Sequence, residues 1–77
     1  MGSKYPILPP DKIIKALQKI GYYKASQKGS HAKYRKDGNI TKTVIIPMHD
    51  EVARGTLQSI LEQAGIMLEE FKKLLQE

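Results

Sequence analysis

Between Tyr22 and Ile46 the chain leaves one hydrophobic rhythm and takes up another. HAKYRK, residues 31–36, alternates, so Ala32 and Tyr34 share one face and His31, Lys33 and Arg35 share the other. YYKASQK, residues 22–28, comes before it and opens with strand formers. ITKTVII, residues 40–46, follows it and is rich in β-branched residues, which suit a pleated surface. Gly29-Ser30 breaks the first two runs apart, and Asp37-Gly38-Asn39 between the second and third is a hairpin-turn signal. Pro47 closes the third run, because proline has no N–H for the ladder. The pattern predicts three antiparallel strands joined by short turns. An antiparallel sheet with one solvated face must bury the other, and that requirement decides what the flanking segments do.

Both flanks carry helical stripes. In LPPDKIIKALQKIGYY, Ile13, Ile14, Leu17 and Ile20 fall on one side and Lys12, Lys15 and Lys19 on the other. Pro9 and Pro10 can begin a helix but not sit inside one, Asp11 suits the first turn, and Gly21 is a natural stop. The stripe predicts a helix over residues 10–20. PMHDEVARG, residues 47–55, reads as a connecting loop. TLQSILEQAG then places Leu57, Ile60, Leu61 and Ala64 at helical spacing, with the Thr56 hydroxyl as cap and Gly65 as stop. MLEEFKKLL repeats the pattern with Leu68, Phe71, Leu74 and Leu75, its acids before its lysines, as a short third helix. The expected fold is α+β, in the order α-β-β-β-α plus a C-terminal helix, with the helices on one sheet face. Double-stranded-RNA-binding domains share this order, which by itself says nothing about function. One domain is expected over residues 1–77, with a tail over 1–8 and a folded core over 9–75.

A chain of 77 residues buries a thin core, and without cysteine neither a disulfide nor a zinc–thiolate cluster can staple it. The lack of cysteine fits a cytoplasmic setting. No apolar run is long enough to span a membrane, and no basic segment followed by an apolar one opens the chain as a signal peptide would. Net charge is +5, unevenly spread: +3 over residues 1–21, +5 over 22–46 and −3 over 47–77. A basic middle is the footprint of a nucleic-acid binder, although a merely solvated face looks the same. Among the tyrosines, Tyr34 alternates into the core, while Tyr22 or Tyr23 is the candidate to stack on a base.

The chemistry concentrates around KGSHAKYRK. An imidazole titrates near neutral pH and can both take and give a proton. Lys28, Lys33 and Arg35 around His31 would attract a phosphodiester and offset charge developing on it. Ser30 can bond a phosphate oxygen or orient the ring. Gly29 beside it and Lys42 within the third run complete the candidate RNA-contacting set. His49, in Pro47-Met48-His49-Asp50, either contacts phosphate or caps its loop. On the residues alone a surface histidine on a polar strand explains His31 as well. Two histidines without a carboxylate cluster do not make a metal site, and Asp50 and Glu51 are adjacent and so point apart. No metal and no cofactor is expected, and no Walker loop, GxGxxG or nucleophilic cysteine is present.

Four stretches in order carry a resemblance: KALQKIGYY, KGSHAKY, DGNITKTVIIPMH and GTLQSILEQAGI followed by LEEFKKLL. Together they resemble the HicA (YcfA-like) toxins of bacterial and archaeal toxin–antitoxin pairs, over residues 9–75. The resemblance implies a small ribonuclease that cleaves messenger RNA, with a fold like the double-stranded-RNA-binding domain. It implies that His31, in Gly-Ser-His, is the active histidine, and that an antitoxin of the HicB type covers it in a complex. Ala32 stands where many members repeat His or carry another polar residue, which removes a second imidazole there. Met67 stands where members often have a polar helix cap. Two other functions compete with an RNA-cleaving toxin. An RNA-binding module without catalysis would show salt-sensitive affinity but make no new RNA ends. An adaptor docking a protein on its sheet would have no RNA affinity.

Overall fold

The computed structural model describes residues 5–76, so Met1–Lys4 of the expected tail, and Glu77, lie outside the described residues. Its elements are α1 (Pro10–Gln18), β1 (Tyr23–Lys28), β2 (His31–Lys36), β3 (Lys42–Pro47), α2 (Arg54–Ala64) and α3 (Leu68–Gln76). The predicted α+β order holds. The sheet is antiparallel in the order β1-β2-β3, which makes β2 the central strand.

Local chemistry explains the connections. Lys28 pairs with His31 across a two-residue turn in which Gly29 has φ +59, while among the described residues no non-glycine residue has a positive φ. That sign pattern belongs to type II′, the hairpin turn that wants glycine first. The β2–β3 connection is longer, closed by the Lys36–Lys42 pair, with Asp37-Gly38-Asn39 inside it. The Tyr23 hydroxyl donates to Asp37 Oδ2 at 3.0 Å and ties this loop to the start of β1.

Alternation decides the layers. Ala32, Tyr34, Val44 and Ile46 are buried and share a core with Ile13 and Leu17 of α1, Leu57, Ile60 and Leu61 of α2, and Phe71 of α3. Each such large apolar side chain contributes about 1.5–3 kcal/mol when fully buried. α1 is two residues shorter than the predicted 10–20, because its end tightens. Tyr22 N–H bonds Leu17 O and Gly21 N–H bonds Gln18 O, both at 3.1 Å, with Gly21 at φ +103. This is the glycine-ended arrangement that satisfies the last carbonyls of a helix, and Gly65 closes α2 the same way.

Two predictions for the middle of the chain are corrected. α2 starts at Arg54 rather than Thr56, with Ala53 as N-cap and no side-chain cap, so Thr56 lies within the first turn and caps nothing. The cause is Val52, which is buried and pairs with Leu8, its N–H bonding Leu8 O at 2.8 Å. The segment read as a plain loop is thus anchored midway and turns into helix at once. Residues 5–8 of the expected tail take part in this anchoring: Tyr5 and Leu8 pack on the core, and Arg54 Nε donates to Tyr5 O at 3.0 Å.

Candidate functional site

The face of β2 away from the core carries His31, exposed, and Lys33 and Arg35, half-buried, as the alternation predicts. Residues directly opposite in a ladder share a face, so the register extends the surface. On the β1 side Lys28 stands opposite His31, Ser26 opposite Lys33 and Tyr23 opposite Arg35. On the β3 side stand Pro47, Ile45 and Thr43. A bulge between Lys24 and Ser26 makes this grouping. With strict alternation from Tyr23, Lys28 would point to the opposite face. The extra residue resets the parity and turns Lys28 toward His31.

The turn residues are placed with equal economy. Met48 N–H donates to Ser30 O at 2.6 Å, one step beyond the His31–Pro47 pair, and so sews the end of β3 to the Gly29-Ser30 turn. His49, the next residue, is thereby brought beside His31. The two ring centroids are 6.4 Å apart and the rings lie nearly perpendicular, at 81°. Both imidazoles open on one groove of about 670 Å³, walled on its far side by Thr56, Ser59 and Gln63 of α2. Gln63 Oε1 accepts from Ile45 N–H at 3.3 Å, so α2 also covers the outer edge of β3.

Seven of the eight positions named from the sequence therefore lie on this face or at the turn and bend that adjoin it: Lys28, Gly29, Ser30, His31, Lys33, Arg35 and His49. Among the described residues, the side-chain hydrogen bonds engage none of the cations or imidazoles in this group. Lys42 does not join them. It pairs with Lys36 on the helix side of the sheet, and its Nζ lies 2.8 Å from where a Cβ on Gly65 would be. There the ammonium sits at the C-terminal end of α2, a favourable place for a cation. The tyrosines also divide. Tyr22 and Tyr34 are buried, which raises both hydroxyls above the ordinary tyrosine value, and the Tyr22 hydroxyl donates to Ala64 O at 3.3 Å. Tyr23, by contrast, is 41% exposed on the His31 side of the sheet.

The proximity of His31 and His49 is the relation the linear sequence concealed. Its signal was Pro47: once a proline ends a strand opposite the first residue of the preceding one, a histidine two positions later lands next to that residue. No helix among the described residues is long and apolar enough to cross a membrane.

Residues 10–66, from the start of α1 past the end of α2, match the family model described as HicA toxin of bacterial toxin–antitoxin. No curated relative matches the chain. The family match covers well over half of the chain and contains every residue of the site, and the protein belongs to the HicA toxin family of bacterial toxin–antitoxin systems.

Proposed function

We propose that this chain is the toxin of its pair, an endoribonuclease that binds messenger RNA in the cytoplasm and cleaves it with His31. The observation that carries the proposal is the company His31 keeps. It is exposed at the start of the central strand, with Lys28 across the ladder and Lys33 and Arg35 along its own face, none of them held by a side-chain hydrogen bond among the described residues. Three unengaged cations on the face of one imidazole suit a polyanion better than they suit the fold.

RNA carries its own nucleophile, the ribose 2′-OH. A base near that hydroxyl and an acid near the 5′-oxygen are enough for cleavage, with nothing asked of a metal ion. His31 supplies one of these proton transfers. Lys28, Lys33 and Arg35 hold the phosphate and offset the charge that grows on its oxygens as the 2′-oxygen attacks. Gly29 lets the backbone approach closely at the turn, and Ser30 offers a hydroxyl to a phosphate oxygen. Inhibition by a HicB-type antitoxin follows if that partner covers His31 and the cations around it.

The test uses purified wild type and His31→Ala on RNA in a chelator-containing buffer. Wild type makes new ends, and the variant is slower by about 10²–10⁴-fold, the usual worth of a general acid or base. Equal rates for the two proteins remove His31 from the chemistry. RNA binding without new ends from either protein leaves an RNA-binding module in place of a nuclease.

A further inference from the structure

We infer that His49 is the second proton-transfer group, acting with His31 across a single RNA phosphodiester. The inference rests on the nuclease reading of His31 and adds to it the group that one imidazole cannot replace. Transesterification needs a proton removed from the 2′-OH and another delivered to the departing 5′-oxygen, on opposite sides of phosphorus.

The geometry meets that need. A general acid or base works within about 2.6–3.2 Å of its target oxygen, and the two oxygens lie across phosphorus from one another, so the two rings must stand apart on one groove rather than in contact. The ring centroids are 6.4 Å apart. The rings are not stacked, both are exposed, and both line the same groove, so one substrate can touch the two of them. Neither ring is engaged by a protein hydrogen bond among the described residues. The placement of His49 is also fixed by the backbone rather than left to a wandering loop. Pro47 pairs with His31, and Met48 N–H is bound to Ser30 O at 2.6 Å. Ser30, the other nearby candidate, carries a hydroxyl, which does not change protonation near neutral pH as an imidazole does.

The step balances. One imidazole, neutral, takes the 2′-OH proton while the 2′-oxygen forms a bond to phosphorus. The P–O5′ bond breaks, and the 5′-oxygen takes a proton from the other imidazole, which starts as imidazolium. The products are a 2′,3′-cyclic phosphate and a 5′-hydroxyl end. One ring has gained a proton and the other has lost one, and exchange with water restores the pair.

The test uses the full chain with His31→Ala, His49→Ala and His49→Gln, on two RNA oligonucleotides with the scissile site mapped by wild type. One has the natural 5′-oxygen and the other a bridging 5′-sulfur, which departs without needing a proton. On the oxygen substrate each variant is expected to lose about 10²–10⁴-fold in rate. On the sulfur substrate one of the two histidine sites, and only one, is expected to become dispensable, which names the acid. Thermal melts accompany the rates, and His49 is exposed, so its variants should melt with wild type. His49 variants as fast as wild type on the oxygen substrate, with His31→Ala inactive, overturn the pairing and leave His31 standing. Rescue of both sites or of neither by sulfur also overturns it. His31→Ala at the wild-type rate sinks the nuclease reading itself.

Discussion

If the outer face of β2 holds RNA by its phosphates, removing its cations must change how binding responds to salt. Lys28, Lys33 and Arg35 lie together around His31, and each is free to displace one counterion from a strand. For a single strand each neutralised phosphate contributes about −0.7 to the slope of log affinity against log salt. Three contacts therefore contribute about −2, so a fourfold rise in salt costs the intact face roughly 16-fold more affinity than the neutralised one. The comparison needs uncut RNA, so it is made in the His31→Ala background. Lys28→Gln, Lys33→Gln and Arg35→Gln are combined, and a fluorescent single-stranded RNA is titrated by anisotropy at about 50, 100 and 200 mM salt. The slope is expected to become shallower by about 2. Lys42→Gln, by contrast, should leave it unchanged, because that ammonium lies at the end of α2 on the other side of the sheet. A triple variant with the parental slope would mean that RNA, if bound at all, lies elsewhere. A Lys42→Gln effect as large as a third of the triple effect would mean that the strand wraps around to the helix side.

Two further outcomes concern stability. Met67 precedes α3, is 74% exposed and brings no acceptor to the free N–H groups of the first turn, although Glu70 stands three residues on. Met67→Ser completes a capping box and should stabilise the fold by about 1 kcal/mol, seen in calorimetry as a rise of about 4–8 °C in melting temperature; an unchanged or lower value would show that the first turn is already satisfied. Burial raises Tyr22 and Tyr34 above the ordinary value of 10.0, so above that pH the unfolded chain releases protons that the folded chain still holds. Stability is therefore fully present below pH 10.0 and falls as pH rises beyond it. Urea midpoints for wild type should drop between about pH 9 and about pH 11, and the drop should be smaller in Tyr22→Phe/Tyr34→Phe; equal drops would place the alkaline weakness in other groups.

What the linear chain revealed and what it hid follow from the range of the interactions involved. Helices, strands and the two faces of β2 depend on periodicity within a few residues, and these were legible: Ala32 and Tyr34 went inside, Lys33 and Arg35 outside. The Gly21 and Gly65 stops were legible because a left-handed residue at a helix end is a local demand. The start of α2 was not. Thr56 has the right chemistry for a cap, yet the Leu8–Val52 pair, made across most of the chain, set the boundary earlier. Lys42 lies apart from the other cations because of parity: it shares the face of Val44 and Ile46, and charge alone cannot say which way a strand residue points.

The parity of β2 has a further consequence for how the site can be studied and how it can vary. Apart from Lys42, every residue proposed to contact RNA lies on the outer face of the sheet or in a turn or bend, and none belongs to the buried core. The core residues of the same strand, Ala32 and Tyr34, lie between them in sequence and point the other way. Substitutions at His31, Lys33 or Arg35 therefore leave no cavity and orphan no buried donor, the two mechanisms that account for most large losses of stability. A fold this small has little stability to spare, and separating the two faces is what lets it carry a cluster of cations without disturbing the core. The cost of that cluster is mutual repulsion on the surface, which RNA would relieve. The same repulsion makes the face a natural target for an acidic partner surface, so the cations proposed to hold substrate are also the contacts an inhibitor should compete for. Neutralising Lys33 and Arg35 is then expected to weaken both interactions together, whereas His31→Ala should separate them, abolishing cleavage while the electrostatic part of docking persists.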